Sequence, residues 1–387
     1  MSEIKFPIYL DHHATTPLDP RVLDEMMPYL TEKFGNASSL DHPFGYEASV
    51  AVESARDKIA KAIGARHDEI IFTSGATESN NLALIGTMEK YKDKGDHLIT
   101  CVTEHKAVLD TARHLESLGK KITYLPVNEY GEINLEQLED SIKEKTVMIS
   151  IMTANNEIGT IADVEKIGNI AHDHDVFFHT DAAQAVGHIP MNVEKMNIDL
   201  MSFSAHKMYG PKGIGALYVR GVKPRIKPNP ILHGGGQERN IRSGTLNVPG
   251  IVGFGRAIEL SQHEMKAENN RFHKWSVEMF ESFFNAGGKQ NGHPTKRLEH
   301  NLNVYFKGIE SKSIINSISK EIAISAGSAC TTQIVEPSHV LLSLGFAEER
   351  AHSSLRIGIG RNNTHAEIQY VTENIISCVK KLEKITL

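Results

Sequence analysis

Apolar and polar positions alternate in a regular way between residues 66 and 220. Short strand-like apolar runs stand at Glu69–Thr73, His97–Val102, Ile122–Pro126, Thr146–Met152, Val176–Thr180, Asp199–Ser204 and Gly215–Val219, with helical patterns between them. Strands alternating with helices predict an α/β fold, a mostly parallel seven-stranded sheet covered by helices on both faces. Ligands of such sheets gather at the carboxyl ends of the strands. Past residue 260 the rhythm changes: Glu264 to Phe284 reads as a polar amphipathic helix leading to a smaller α+β unit.

Two of the runs end on residues with chemical promise. The run from Asp199 passes through Ser204-Ala205-His206-Lys207 into the glycine-rich turn Gly210-Pro211-Lys212-Gly213. A lysine fixed at a strand end, flanked by small residues and a hydroxyl, can be partly desolvated, which lowers its pKa and suits it to Schiff-base chemistry. Taken alone it reads as a surface lysine beside a turn, and the partners elsewhere in the chain reverse that reading. Upstream, Asp181 closes a short apolar strand and meets Ala182-Ala183-Gln184. Pyridoxal phosphate needs such a lysine together with an acid against its pyridine nitrogen, so the pair points to that cofactor. Asp181 by itself also reads as a helix N-cap.

A phosphate site is legible upstream of both. Glu69 to Thr73, then Ser74-Gly75-Ala76-Thr77-Glu78, is a strand, a glycine turn and a helix start. Free N–H groups and the helix dipole favour a phosphate there, and the Thr77 hydroxyl can add a bond. A Ser/Thr cap with Glu78 in the first turn is compatible with the same residues.

From Ile8 to about Arg361 the chain resembles the cysteine desulfurases of the IscS/NifS type, fold-type I pyridoxal-phosphate enzymes. The resemblance is carried by Ala14-Thr15-Thr16-Pro17, Thr73 to Glu78, Thr103-Glu104-His105-Lys106-Ala107-Val108 and Asn155-Asn156-Glu157-Ile158-Gly159. It continues through the Lys207 segment, Arg242-Ser243-Gly244-Thr245 and Ser325-Ala326-Gly327-Ser328-Ala329-Cys330. It implies a large cofactor domain over residues 15–260 and a small one formed by 1–14 and 261–387, which carries the Cys330 loop. It also implies that His105 stacks over the cofactor ring and moves protons, and that Gln184 bonds the phenolic oxygen. Ala76, Thr77, Ser204 and His206 would hold the phosphate. Thr245 would reach the phosphate of a partner subunit in a homodimer, and Arg356 would grip the substrate carboxylate with help from Asn36 and Asn156.

Cys330 sets the expected reaction. Its neighbours are small and polar, which leaves a thiol accessible, whereas Cys101 and Cys378 lie in apolar patterns and read as fillers. The resemblance then implies that L-cysteine is converted to L-alanine, with sulfur passed to Cys330 as a persulfide and on to an iron–sulfur scaffold or another acceptor such as the tRNA thiolation machinery. A selenocysteine lyase or C–S lyase of the same fold is the alternative, and a noncatalytic relay subunit a more distant one. The chain closes at Lys384-Ile385-Thr386-Leu387, short of the tail with which better-known bacterial relatives dock their scaffold, so the docking mode stays open.

Composition narrows the classes. The 387 residues carry 42 Lys+Arg against 48 Asp+Glu, a net charge of −6 with no basic face for nucleic acid. No apolar run approaches a membrane span, no signal pattern precedes the fold, and three scattered cysteines make no disulfide framework, so a cytoplasmic protein is expected. Two histidine-rich strings, Asp11-His12-His13 and His172-Asp173-His174-Asp175, invite a metal reading. The first is taken as a structural start and the second as a solvated helix end, with no metal expected.

Overall fold

A computed structural model describes residues 4–326 and 337–386. All seven apolar runs form strands of one sheet: β1 (Ile70–Thr73), β2 (His97–Cys101), β3 (Lys121–Leu125), β4 (Thr146–Ser150), β5 (Phe177–Asp181), β6 (Leu200–Ser204) and β7 (Gly215–Val219). Their spatial order is β1-β7-β6-β5-β4-β2-β3. Strand β7 is antiparallel to both neighbours, while the remaining pairs are parallel, so the other six strands point the same way. The reversal has a simple cause: residues 205–214 are too few for the crossover that a parallel return requires.

Every residue of the inner strands is buried, whereas the edge strand β3 is partly open. The pleat sends alternate residues to opposite faces. Ile99, Met201, Phe203 and Tyr218 join one apolar core. Leu98, Leu200, Leu217 and Val219 join the other. Helices cover both faces, which is why these strands read as continuous apolar runs rather than as alternating ones.

Helix α1 (Ala76–Lys90) follows β1 and α2 (Lys106–Ser117) follows β2. The helix expected over Glu264 to Phe284 is longer, α3 (Val248–Asn285). Its first half is buried on most sides and includes Gly250, Gly253 and Gly255, so no polar face marks the helical period there. Asn247 caps it by accepting from the Gly250 N–H at 3.1 Å. Its second half contributes Phe272, Trp275, Met279 and Phe283 to a separate core. That core is shared with β9 (Asn301–Phe306) and β10 (Ser354–Gly358), which form an antiparallel sheet with β8 (Gly288–Gln290). Ile8 and Leu10 are buried in it as well, and the strand Ile8–Tyr9 pairs in parallel with Ile322–Ala323. The N-terminal segment leaves this pairing and runs across the carboxyl edge of the large sheet. Among the described residues, no helix is long and apolar enough to cross a membrane.

Candidate active site

The carboxyl ends of β1, β2, β5 and β6 open on one cavity of about 590 Å³. At one end, Gly75 precedes α1, and among the described residues no side chain caps the helix's first N–H groups. The Ser204 hydroxyl, on the pocket lining, is buried and has no hydrogen-bond partner among the described residues. A Cβ on Gly215 would lie 2.6 Å from the Gly75 Cα, so glycine at the start of β7 is what allows the β1–α1 turn to close. His206 is neutral: burial, with Lys207 and Lys212 adding to it, pushes its pKa down to about 4. Its Nδ1 lies 3.1 Å from the Thr15 hydroxyl. Uncompensated donors beside a helix N-terminus form an anion cradle.

Asp181 closes β5 and is held on both oxygens. Oδ2 accepts from Asn80 Nδ2 at 2.7 Å, and Oδ1 accepts from the Ala183 N–H at 2.9 Å. The capping bond and the pocket position therefore coexist. His105 is the N-cap of α2, its Nδ1 accepting from the Ala107 N–H at 3.1 Å. A neutral ring with an accepting Nδ1 carries its proton on Nε2. Desolvation inside the cleft lowers its pKa; Asp181 pulls it upward, and Lys207 and His339 press it further down.

Lys207 ends the turn Ala205–Lys207 after β6. Its ammonium donates to the Ala14 carbonyl at 2.9 Å and to the His13 carbonyl. Burial first, then the Arg356 charge, push its pKa down to about 8, against the pull of Asp11 and Asp181. Arg356 lies on β10 and is buried. Its Nη2 donates to Asp11 Oδ1 at 2.9 Å, Nε to the Ser325 hydroxyl at 3.0 Å, and Nη1 to the Asn156 carbonyl at 3.3 Å. Among the described residues, one N–H on each terminal nitrogen remains for a ligand.

Of the residues expected at the site, Lys207, His105, Asp181, Gln184, Ala76, Thr77, Ser204, His206, Asn156 and Arg356 line this single pocket. Asn36 and Thr245 do not line it. Asn36 is exposed and accepts from the Ser38 N–H at 3.0 Å. Thr245 is exposed beyond Arg242, which pairs with Glu78 of α1 at 2.7 Å. Cys330 lies outside the described residues, and Cys101 and Cys378 are buried free thiols. The histidine pair at 172 and 174 is spent on separate carboxylates, Asp199 and Glu139.

Pocket residues to which sequence reasoning gave no site role include His13, Asn80, Glu157, Lys212 and His339. His339 opens the helix α4 (His339–Ser343) with Nε2 3.0 Å from the Glu104 carbonyl. The Ser338 hydroxyl donates to Glu157 Oε2 at 2.5 Å. Glu157 stands inside a quoted motif and could have been singled out; His13 stands only within a histidine string read as a structural start, and nothing local marks His339.

An anion cradle, an orphaned hydroxyl, a carboxylate ready for a pyridine nitrogen and an amine of lowered pKa together fit pyridoxal phosphate. Fold and site thus define a fold-type I pyridoxal-phosphate enzyme. The aminotransferase class-V family model matches residues 8–371, and the chain belongs to that pyridoxal-phosphate-dependent family. It is 50% identical to the cysteine desulfurase IscS of Rickettsia africae, over all of this chain and 94% of that protein. It is 49% identical to the same enzyme of Rickettsia prowazekii, again over all of this chain and 94% of the relative. Among solved structures, a NifS-like protein superposes with a TM-score of 0.91 at 38% identity, covering 97% of this chain and 100% of that one. A structure described as SspA in complex with cysteine gives a TM-score of 0.80 at 40% identity, covering 91% and 98%.

Proposed function

We propose that this chain is a cysteine desulfurase that converts L-cysteine to L-alanine and passes the sulfur to Cys330. The observation that carries the reading is the meeting, in one pocket, of an amine of lowered pKa with Asp181, His105 and Arg356. The full-length similarity to desulfurases supports it. When bound, pyridoxal phosphate supplies an electron sink for the pair left at the substrate Cα.

The chain's own groups do the remaining work. Arg356 pairs its two remaining N–H groups with the substrate carboxylate. Lys207, with a pKa near working pH, removes the Cα proton as its free amine and can return it. Asp181, oriented by the Asn80 and Ala183 N–H groups, would hold a proton on the cofactor's pyridine nitrogen. His105, which lines the pocket, would use its Nε2–H to donate or relay a proton to the substrate. The Cys330 thiolate attacks the substrate sulfur: an S–S bond forms, the Cβ–S bond breaks, and protonation of the carbon chain completes alanine. The two ends of the segment carrying Cys330 are fastened to the pocket. Ser325 donates to Asp11 Oδ1 at 3.1 Å, and Ser338 is bonded to Glu157.

A homodimer in which Thr245 reaches the neighbouring phosphate site, and delivery of sulfur to an iron–sulfur scaffold or a tRNA thiolation acceptor, extend the same reading. The test is a single turnover of purified enzyme with L-cysteine, followed by peptide mass spectrometry and alanine quantification. One added sulfur on the Cys330 peptide with stoichiometric alanine is expected, and Cys330→Ser should abolish both. Pyruvate with an unmodified Cys330 would make the protein a C–S lyase.

A further inference from the structure

His13 forms part of the pocket wall, although its imidazole belongs to none of the groups that hold or transform a substrate. Its surroundings form a directed chain of hydrogen bonds. Arg297 Nη2 donates to Asn301 Oδ1 at 2.8 Å, which turns the Asn301 amide so that Nδ2 points the other way. That Nδ2 donates to the Glu157 carbonyl and to His13 Nε2, each at 3.1 Å. A ring nitrogen that accepts carries no proton, so the neutral imidazole holds its proton on Nδ1. Gln184 Oε1 lies 3.2 Å from this Nδ1, and Gln184 Nε2 donates back to the His13 carbonyl at 3.0 Å. Gln184 is thus gripped at both amide atoms by one residue, with its second Nε2 hydrogen left for the pocket.

We infer that His13 is a positioning residue that fixes the amide orientation of Gln184, so that an N–H rather than a carbonyl oxygen faces the cofactor's phenolic oxygen. The inference rests on the pyridoxal-phosphate reading. With the amide flipped, two acceptors would face each other and the bond to the cofactor would be lost.

The packing keeps the ring in place. His300 stacks on His13 with centroids 4.7 Å apart, and His188 stacks on His300 at 4.2 Å. All three rings are buried. Asn301 presses against Gly159, where a Cβ would lie 2.6 Å from Asn301 Oδ1 and where φ is +75°, so this contact tolerates only glycine. Burial holds the His13 pKa well below its ordinary value, with the Arg356 and Lys207 charges acting in the same direction. The neutral tautomer is therefore the one present at working pH. The same residue's carbonyl also receives the Lys207 ammonium, so His13 touches both Lys207 and Gln184.

The decisive measurement is the ¹⁵N spectrum of histidine-labelled, cofactor-loaded enzyme, with His13 assigned by its absence in His13→Asn. A proton on Nδ1 is expected. A proton on Nε2, or on both nitrogens, would overturn the inference. In parallel, His13→Ala should weaken retention of pyridoxal phosphate by about tenfold, the loss of one positioned hydrogen bond, and shift the cofactor's visible band. His13→Asn, whose amide can still donate to Gln184 Oε1, should restore most of both. Equal defects in the two variants would assign the effect to ring stacking and refute the amide-orienting role, as would wild-type behaviour in both. A wild-type protein that binds no pyridoxal phosphate would sink the cofactor reading instead, while the tautomer measurement would still decide the His13–Gln184 geometry.

Discussion

Replacing Lys207 with methionine should stabilise the cofactor-free protein at neutral pH, because a buried ammonium is removed and a chain of similar length is kept. The folded amine has a pKa of about 8, against 10.5 for an unperturbed lysine. Between these values the unfolded chain binds more protons, so the wild type gains stability as pH rises through that window. Lysine's contribution is complete above the unfolded pKa and is lost as pH falls through the folded one. At about 1.4 kcal/mol per pKa unit, the ammonium costs roughly 3 kcal/mol at pH 7. Losing the bonds to the His13 and Ala14 carbonyls offsets about 1 kcal/mol of the variant's gain. The variant should therefore exceed the wild type by about 2 kcal/mol at pH 7, and the linkage relation shrinks that advantage by about 2 kcal/mol on going to pH 9.5. Urea unfolding of both proteins, stripped of cofactor and followed by the single tryptophan, Trp275, and by circular dichroism, reads the difference directly. A difference that does not change with pH would refute the lowered lysine pKa.

Arg356→Lys keeps the charge but offers no planar fork, and it leaves Asp11, Ser325 and the Asn156 carbonyl short of donors. KM for L-cysteine should rise about 10- to 100-fold with the cofactor's spectrum unchanged; a KM within twofold of wild type would place the carboxylate elsewhere. Gly215→Ala puts a methyl 2.6 Å from the Gly75 Cα, where only backbone can yield, and so displaces the turn that opens α1. Pyridoxal phosphate retention should fall about tenfold or more while binding of phosphate-free pyridoxal changes little; equal losses for both would argue against the phosphate lying at this turn.

What could be read without a structure is what depends on near neighbours. The seven strands were legible because strands covered on both faces need an unbroken apolar run, and each such run declared itself. Asp181 and Lys207 were legible because each ends one of those runs, and strand ends place residues in the cleft. The reversed direction of β7 was available too, in the brevity of residues 205–214. The first half of α3 was not, because a helix buried on most sides shows no polar stripe.

Family resemblance named further site residues, Arg356 and Gln184 among them, but only the tertiary structure decided how they are brought together and held. Arg356 reaches the pocket by a strand of the second core and is oriented by Asp11, at the opposite end of the chain. His13 and Gln184 are 171 residues apart, and Asn301 lies further still from His13. A histidine's tautomer follows from what its two nitrogens touch, and no local pattern records such partners. Short-range periodicity determines which segments become strands and helices. Which distant side chains share a hydrogen bond is set only when those elements pack and their buried polar groups must all find partners.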